Sequence, residues 1–512
     1  MARLRRLLPL AALLLVPALH AAPAAASTRQ VAIFQDDGLI KSSALYSTLP
    51  TLRSLGVTTL RVTMQWDSTL TRHASLANTG KNPNGSGYDW AMYDAIDRAA
   101  AANGIQVYFM LDGPAPSWGS ARGPAGFPGV FRPNAREFGY FVYAAGKRYS
   151  GGFAPPGQAK LPGVHFWSIW NEANYGYDLA PQTVSHDSIE TGAAIYRSLV
   201  DNAWSSLMAT GHTTRHDTIL IGELAPRGLD HPIGTFGGVK PLRFLRALYC
   251  VDSSYRVLRG FAASARGCPT TRASVRSFRR DHPGLFGATG FAAHLYSSQA
   301  HPGPPTQNLF DPDYADLPNV GRLEATLDRL NRVWGSRTRF PIWNTEYAYR
   351  TRPPDPHAGV SLSAQAYYLN WAEYLTWRQP RISSFAQYLL RDPANGLFAS
   401  GLEFPGGGLK PSYYAWRMPL YLPSTSTRRG WRLEVWGDLR PAHFQAGPQS
   451  VLVEFRGSHG GWSTKAKVTV SSRSMGYFDL RVRFPSSGSV RLAWKDPAAG
   501  WDFSRTVGIS LH

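Results

Sequence analysis

Eight times between about residue 30 and residue 420, a short β-branched and aromatic run is followed by a stretch with helical spacing. The strand-like runs are Val31–Phe34, Thr59–Met64, Ile105–Leu111, Val164–Trp170, Thr218–Gly222, Gly290–Tyr296, Phe340–Tyr347 and Ile382–Leu389. They are apolar on both sides, the composition of strands covered on both faces. The helical stretches between them include Asp89–Ala102, Ala135–Tyr149, Thr191–Met208, Pro241–Cys250 and Ser363–Trp377. Another sets Leu323, Leu327, Leu330 and Trp334 on one stripe. Eight β-then-α units make a (β/α)8 barrel, whose functional groups gather at the C-terminal strand ends. A doubly wound open sheet is the competing architecture, but no Gly-rich phosphate fingerprint follows the first strand.

After Pro423 the grammar changes. Trp431–Val435, Val451–Phe455, Lys467–Val470, Phe478–Phe484 and Val490–Trp494 alternate apolar with polar residues and are separated by Gly/Ser turns. That pattern predicts a small antiparallel β-sandwich over 424–512, Ig-like or fibronectin type III-like, behind a barrel over 27–423. A structural add-on and a carbohydrate-binding module are both compatible with it.

Residues 1–26 read as a secretory signal peptide. Arg3, Arg5 and Arg6 precede the apolar run Leu7–Leu19, and Ala24-Ala25-Ala26 offers a cleavage site. The mature chain is therefore expected outside the cell, with no later run near the ~20 apolar residues of a membrane span. The only two cysteines, Cys250 and Cys268, are expected to form a disulfide in that oxidising setting. The net charge of +20 is spread over the chain in no block longer than Arg279-Arg280 or Arg428-Arg429. A solvated basic surface is expected, not a nucleic-acid site; weak contact with anionic cell-wall polymers stays open.

Two of the buried-type runs end in a glutamate. Trp167-Ser-Ile-Trp-Asn-Glu-Ala-Asn174 places Glu172 at the end of the fourth strand, and Phe340-Pro-Ile-Trp-Asn-Thr-Glu-Tyr347 places Glu346 at the end of the seventh. An acid is costly in the core and useful where a strand opens into a cleft. Two of them across a barrel mouth suit a pair of carboxylates working on a sugar, one attacking and one donating a proton.

Trp170-Asn-Glu-Ala-Asn174 resembles the Asn-Glu motif ending strand four in clan A glycoside hydrolases, and Trp343-Asn-Thr-Glu-Tyr347 resembles their strand-seven Thr-Glu motif. The likeness covers the barrel and is strongest to the cellulase-like family 5 and to family 39. It implies a retaining glycosidase with Glu172 as acid/base and Glu346 as nucleophile, and a carbohydrate substrate; with no HExxH, CxxC or phosphate loop in the sequence, no metal or other cofactor is expected. A transglycosidase with the same pair and an inactive carbohydrate-binding barrel are the alternatives. Asn171 matches the asparagine that bonds the sugar 2-hydroxyl. Arg61 resembles the arginine paired with the nucleophile, a rim salt bridge being the other reading.

On strand six His294 and Tyr296 point inward, Tyr296 beside the nucleophile, with a core role the alternative for each. Glu223, ending strand five, is expected to bind a sugar hydroxyl. Trp66, Trp118, Tyr175, Tyr177 and Tyr347 are candidates for stacking on sugar rings. The chain departs from the pattern at Ala173, where a proline is common, and at Gln387-Tyr388, where strand eight often ends in tryptophan. Those departures bear on the shape of the sugar subsite.

Overall fold

The computed structural model describes residues 27, 30–123, 129–184, 188–232, 237–297, 303–307 and 310–512. The expected signal peptide, 1–26, lies outside them. Eight parallel strands close into a barrel: β1 (Val31–Gln35), β2 (Thr59–Gln65), β3 (Gln106–Asp112), β4 (Phe166–Ile169), β5 (Thr218–Leu224), β6 (Gly290–His294), β7 (Ile342–Glu346) and β8 (Ile382–Tyr388). Each pairs in parallel with its sequence neighbour, and β8 closes on β1 from Val31↔Ser384 to Gln35↔Tyr388. This is the (β/α)8 barrel that the eight-unit pattern predicts.

The strands are buried almost throughout because helices cover their outer faces. Among these helices are Ala135–Arg148, Gly192–Ala209, Leu362–Trp377 and Pro411–Arg417. Three helices between β5 and β6 fall outside the expected pattern: Gly260–Ser264, Arg272–Asp281 and Pro283–Gly287. Arg272–Asp281 buries only Phe278, so it has almost no apolar stripe to read, and a Thr271/Ser274 capping box starts it. Among the described residues no helix is long and apolar enough to cross a membrane.

Cys250 and Cys268 are bridged, with Cα atoms 5.6 Å apart. The link pins the Gly260–Ser264 segment to the end of helix Pro241–Leu248 and is worth ~3 kcal/mol in the chain-entropy model. Mass spectrometry of the unreduced mature protein should show a deficit of two hydrogens, and alkylation without reduction should label neither cysteine.

Downstream, two sheets enclose a second core of Leu433, Val435, Val451, Val453, Leu492, Trp494 and their neighbours. One sheet orders Leu420–Tyr421, Arg432–Asp438 and Tyr477–Arg483; the other holds Gln449–Arg456, Ser463–Val470, Gly488–Asp496, Gly500–Phe503 and Val507–Leu511. The pairing is antiparallel except where Ser426–Thr427 lies parallel to Val507–Leu511. The first strand, Leu420–Tyr421, falls just ahead of the expected boundary. The unit packs on helices Leu362–Trp377 and Pro411–Arg417, on the outside of the barrel, through Tyr374, Trp377, Tyr421, Trp436 and Tyr477.

Candidate active site

At the C-terminal ends of the strands lies a cleft of about 1130 Å³ whose walls include Glu172, Glu346, Asn171, Tyr175, Tyr177, Tyr296 and Tyr388. Two backbone irregularities shape it. After β4 the chain passes through left-handed φ at Trp170 (65°) and Glu172 (35°), a conformation costly for non-glycine residues. This turn brings the Glu172 carboxylate over the barrel mouth, and its N–H donates to the Glu223 carbonyl at 2.8 Å. Between β6 and β7 the register shifts, so that His294 pairs with Glu346 instead of with the preceding residue.

The two glutamates and His294 converge. One oxygen of each carboxylate and a ring nitrogen of His294 all lie within 4.8 Å of one another. His294 Nδ1 donates to Glu172 Oε1 at 2.8 Å and lies 3.6 Å from Glu346 Oε2, while its Nε2 lies 2.9 Å from Glu223 Oε2. Glu346 is held at both oxygens: Arg61 Nη1 donates to Oε1 at 2.5 Å and the Tyr296 hydroxyl to Oε2 at 3.1 Å. Glu172 keeps a side-chain exposure of 22%, against 13% for Glu346, so the less tethered acid is also the wetter one.

Beneath the pair is a polar floor. Glu223 is fully buried and accepts from Tyr108, from Ser168 at 2.7 Å, from Thr345 at 2.5 Å and from Arg61 at 3.2 Å. Burial works against its charge, yet Arg61 and His294 outweigh that and hold Glu223 well below the usual carboxylate range. Burial likewise opposes the charge of His294. The facing Glu346, with hydrogen bonds to Glu172 and Glu223, overcomes it and pushes the imidazole up to about 10. Glu172, Glu346 and His294 also form a group of three side chains that could hold a metal ion. Here both ring nitrogens of His294 already face carboxylates, Nδ1 that of Glu172 and Nε2 that of Glu223.

His294 therefore adds stability with a definite pH sense. A histidine raised in the fold contributes fully below its unfolded pKa, ~6.5, and the contribution fades as pH rises through the folded value, about 10. The melting temperature of the protein should exceed that of His294→Gln most at and just below pH ~6.5, and the gap should close as pH rises toward about 10. Calorimetry across that range checks it; a gap that stays constant would rule out the charged state.

The residues expected to meet substrate fall into two groups, those that line the cleft and those buried beneath it. Glu223 does not reach the cleft. A bulge in β5 at Gly222 (φ 111°) and Glu223 (φ 49°) turns its side chain into the barrel instead of out of the mouth. Arg61 and His294 are fully buried beside Glu346, Arg61 paired with it as the motif likeness implies and His294 3.6 Å from it. Trp118 packs edge-on against buried Trp66, and Tyr347 lies stacked behind Tyr296; none of the three faces the cleft. Tyr175 and Tyr177 do, at 38% and 55% exposure with ring centroids 5.3 Å apart. At the departures from the motif pattern, Ala173 is buried, Gln387 ties down the loop after β8, and Tyr388 lines the cleft next to Phe398.

Sequence reading missed Asp112 and Asp178. Asp112 ends β3, as Glu346 ends β7, and so carried the same signal. Asp178 and Phe398 come from loops and carried none.

No family model matches the chain, and no curated protein matches it. Solved structures do resemble it. A family 39 glycoside hydrolase from the gut symbiont Bacteroides cellulosilyticus WH2 is 14% identical, covering 89% of this chain and 80% of that one, with a TM-score of 0.48. A glucosidase from Croceicoccus marinus is 12% identical over 92% and 86% of the two chains, also at 0.48. An endo-beta-1,4-mannanase from Thermotoga petrophila is 11% identical over 95% and 98%, at 0.40.

Proposed function

We propose that this protein is a secreted glycoside hydrolase that cleaves O-glycosidic bonds with retention, Glu346 acting as nucleophile and Glu172 as acid/base. The observation that carries the reading is the approach of the two carboxylates. Retaining hydrolysis needs them ~5 Å apart, whereas inversion leaves ~6.5–9.5 Å for a water. Oxygens of Glu172 and Glu346 within 4.8 Å belong to the first case.

The surroundings divide the roles. Both Glu346 oxygens are fixed by donors, which suits an atom that must attack along one line. Glu172 has one donor and open access, which suits a group that meets the leaving oxygen and then water. In the first step Glu346 bonds to the anomeric carbon while the leaving oxygen takes the Glu172 proton. In the second, Glu172 takes a proton from water, whose oxygen displaces Glu346 and returns the original configuration. Tyr175 and Tyr177 offer flat faces to a pyranose ring, and Asn171 reaches the carbon beside the reacting one.

Export rests on the signal-like residues 1–26 and agrees with a bridged cysteine pair. The scattered positive charge fits a protein that works beside anionic wall polymers. The test is a panel of aryl glycosides and polysaccharides, with the anomeric configuration of the first-formed product followed by proton NMR. A retained product supports the reading, and an inverted product, or no cleavage anywhere in the panel, overturns it. Transfer to an added acceptor glycan would mark a transglycosidase built on the same pair.

A further inference from the structure

Asn171 is gripped at three points from three directions. Its backbone N–H donates to Asp112 Oδ1 at 3.1 Å, its Nδ2 donates to Asp178 Oδ1 at 3.3 Å, and its Oδ1 accepts from Arg61 Nη2 at 3.2 Å. Because a guanidinium only donates, Arg61 fixes which way the amide faces. One Nδ2 hydrogen is taken by Asp178; the other is left for whatever fills the cleft.

Asp112 and Asp178 both line that cleft, yet neither makes an ion pair among the described residues. Asp112 is buried and Asp178 half-buried, and a serine or an asparagine could cap a loop here without the cost of an acid that has no ion-pair partner. The charged groups facing them are Glu172, Glu346, Arg61 and Lys41, with Asp37 on the same wall. Burial first, and for Asp178 the neighbouring carboxylates, push both above the ordinary carboxylate range. The arrangement is costly to keep and bears on one residue, Asn171.

We propose that Asp112 and Asp178 are positioning residues for the reaction, holding Asn171 so that its free amide hydrogen meets the hydroxyl on the sugar carbon next to the anomeric one. This rests on the glycosidase reading. It adds a specificity consequence: preference for a sugar bearing that hydroxyl depends on two acids that do not themselves take part in the bond exchange.

A substrate–variant cycle tests it. One aryl glycoside and its 2-deoxy counterpart are compared by kcat/KM in the wild type, Asp112→Ala, Asp178→Ala and Asp178→Asn. The greater intrinsic lability of 2-deoxy sugars cancels in the cycle. In each alanine variant the preference for the 2-hydroxy substrate should fall about tenfold, the worth of one well-placed hydrogen bond. Asp178→Asn, which still accepts through its amide oxygen, should recover most of it. Equal slowing on both substrates would mean a purely structural role and overturns the proposal.

A second readout needs no catalysis. In protein labelled with 15N-asparagine, the Asn171 side-chain amide signals should move and lose exchange protection in Asp178→Ala but not in Asp178→Asn. Signals indifferent to Asp178 overturn the clamp. If the wild type cleaves neither glycoside, the hydrolase reading fails, and the amide signals alone decide whether the clamp exists.

Discussion

Azide should rescue Glu172→Ala and leave a glycosyl azide of retained configuration. The expectation follows from what each glutamate supplies. Glu172→Ala removes the proton donor, but an aryl glycoside with an easily expelled phenolate needs little protonation, so Glu346 still attacks and the covalent intermediate still forms. The second step then stalls for want of a base, and phenolate appears as a burst followed by a slow steady rate. Azide needs no deprotonation, enters from the side that Glu172 vacates, and displaces Glu346 with a second inversion. Two inversions give retention.

Glu346→Ala removes the attacking atom itself, and turnover should fall by several orders of magnitude on every substrate the wild type cleaves. It also removes the Tyr296 hydroxyl's acceptor and one of the several acceptors of Arg61. Azide in that variant could only fill the vacated side and would yield the inverted product. An inverted azide product from Glu172→Ala would therefore mean that the roles are exchanged. Undiminished turnover in both variants would mean that the acids are not the catalytic pair.

The barrel was legible because its strands are apolar on both faces and its helices are striped, a pattern set by burial alone. The two glutamates were legible for the converse reason: an acid ending such a run has to open onto something. The same logic misplaced Glu223, because strand-end position does not predict a bulge. A register shift at Gly222–Glu223 turns the side chain into the barrel, and no composition signal marks it. Asp112 shows the opposite failure, a readable strand-end acid left unread.

Partnerships across the barrel were out of reach in a different way. His294 sits 122 residues from Glu172 and Arg61 sits 285 from Glu346, so only the closed sheet brings them together. In the C-terminal unit, Val507–Leu511 alternates apolar with small residues and carried a strand signal of its own that the expected set did not include. Its seat against the barrel has no such signature: the aromatic residues that form it read equally well as core of either unit.

That seat leads to a large expected stability effect. Glu373, on helix Leu362–Trp377, is only 1% exposed and accepts from Arg440 Nη2 at 2.7 Å and from the Tyr477 hydroxyl at 2.9 Å, both residues of the C-terminal unit. Arg440 lies 3.9 Å over the Trp416 ring and donates through Nε to the Trp416 carbonyl. Asp438 lies 3.6 Å from the same guanidinium, and burial pushes both acids above the carboxylate range although Arg440 pulls the other way. The unit boundary is thus closed by a desolvated ion pair ringed by Tyr374, Trp377, Trp436 and Tyr477. Removing one member of such a pair costs ~3–5 kcal/mol because the other stays buried and unpaired.

Arg440→Met should therefore lower the melting temperature sharply, and Arg440→Met with Glu373→Gln should regain part of the loss, since Asp438 is then the one acid of the pair left without Arg440. Where these variants fold, kcat/KM should match the wild type, because the interface lies on the outside of the barrel and away from the cleft. Deleting the chain from Ser424 onward removes Arg440, Trp436 and Tyr477 together. It leaves Glu373 beside uncovered Tyr374 and Trp377, and the shortened chain should aggregate unless Glu373 is also neutralised. A truncated barrel that stays soluble and melts like the full protein would show that the pair contributes nothing across the boundary.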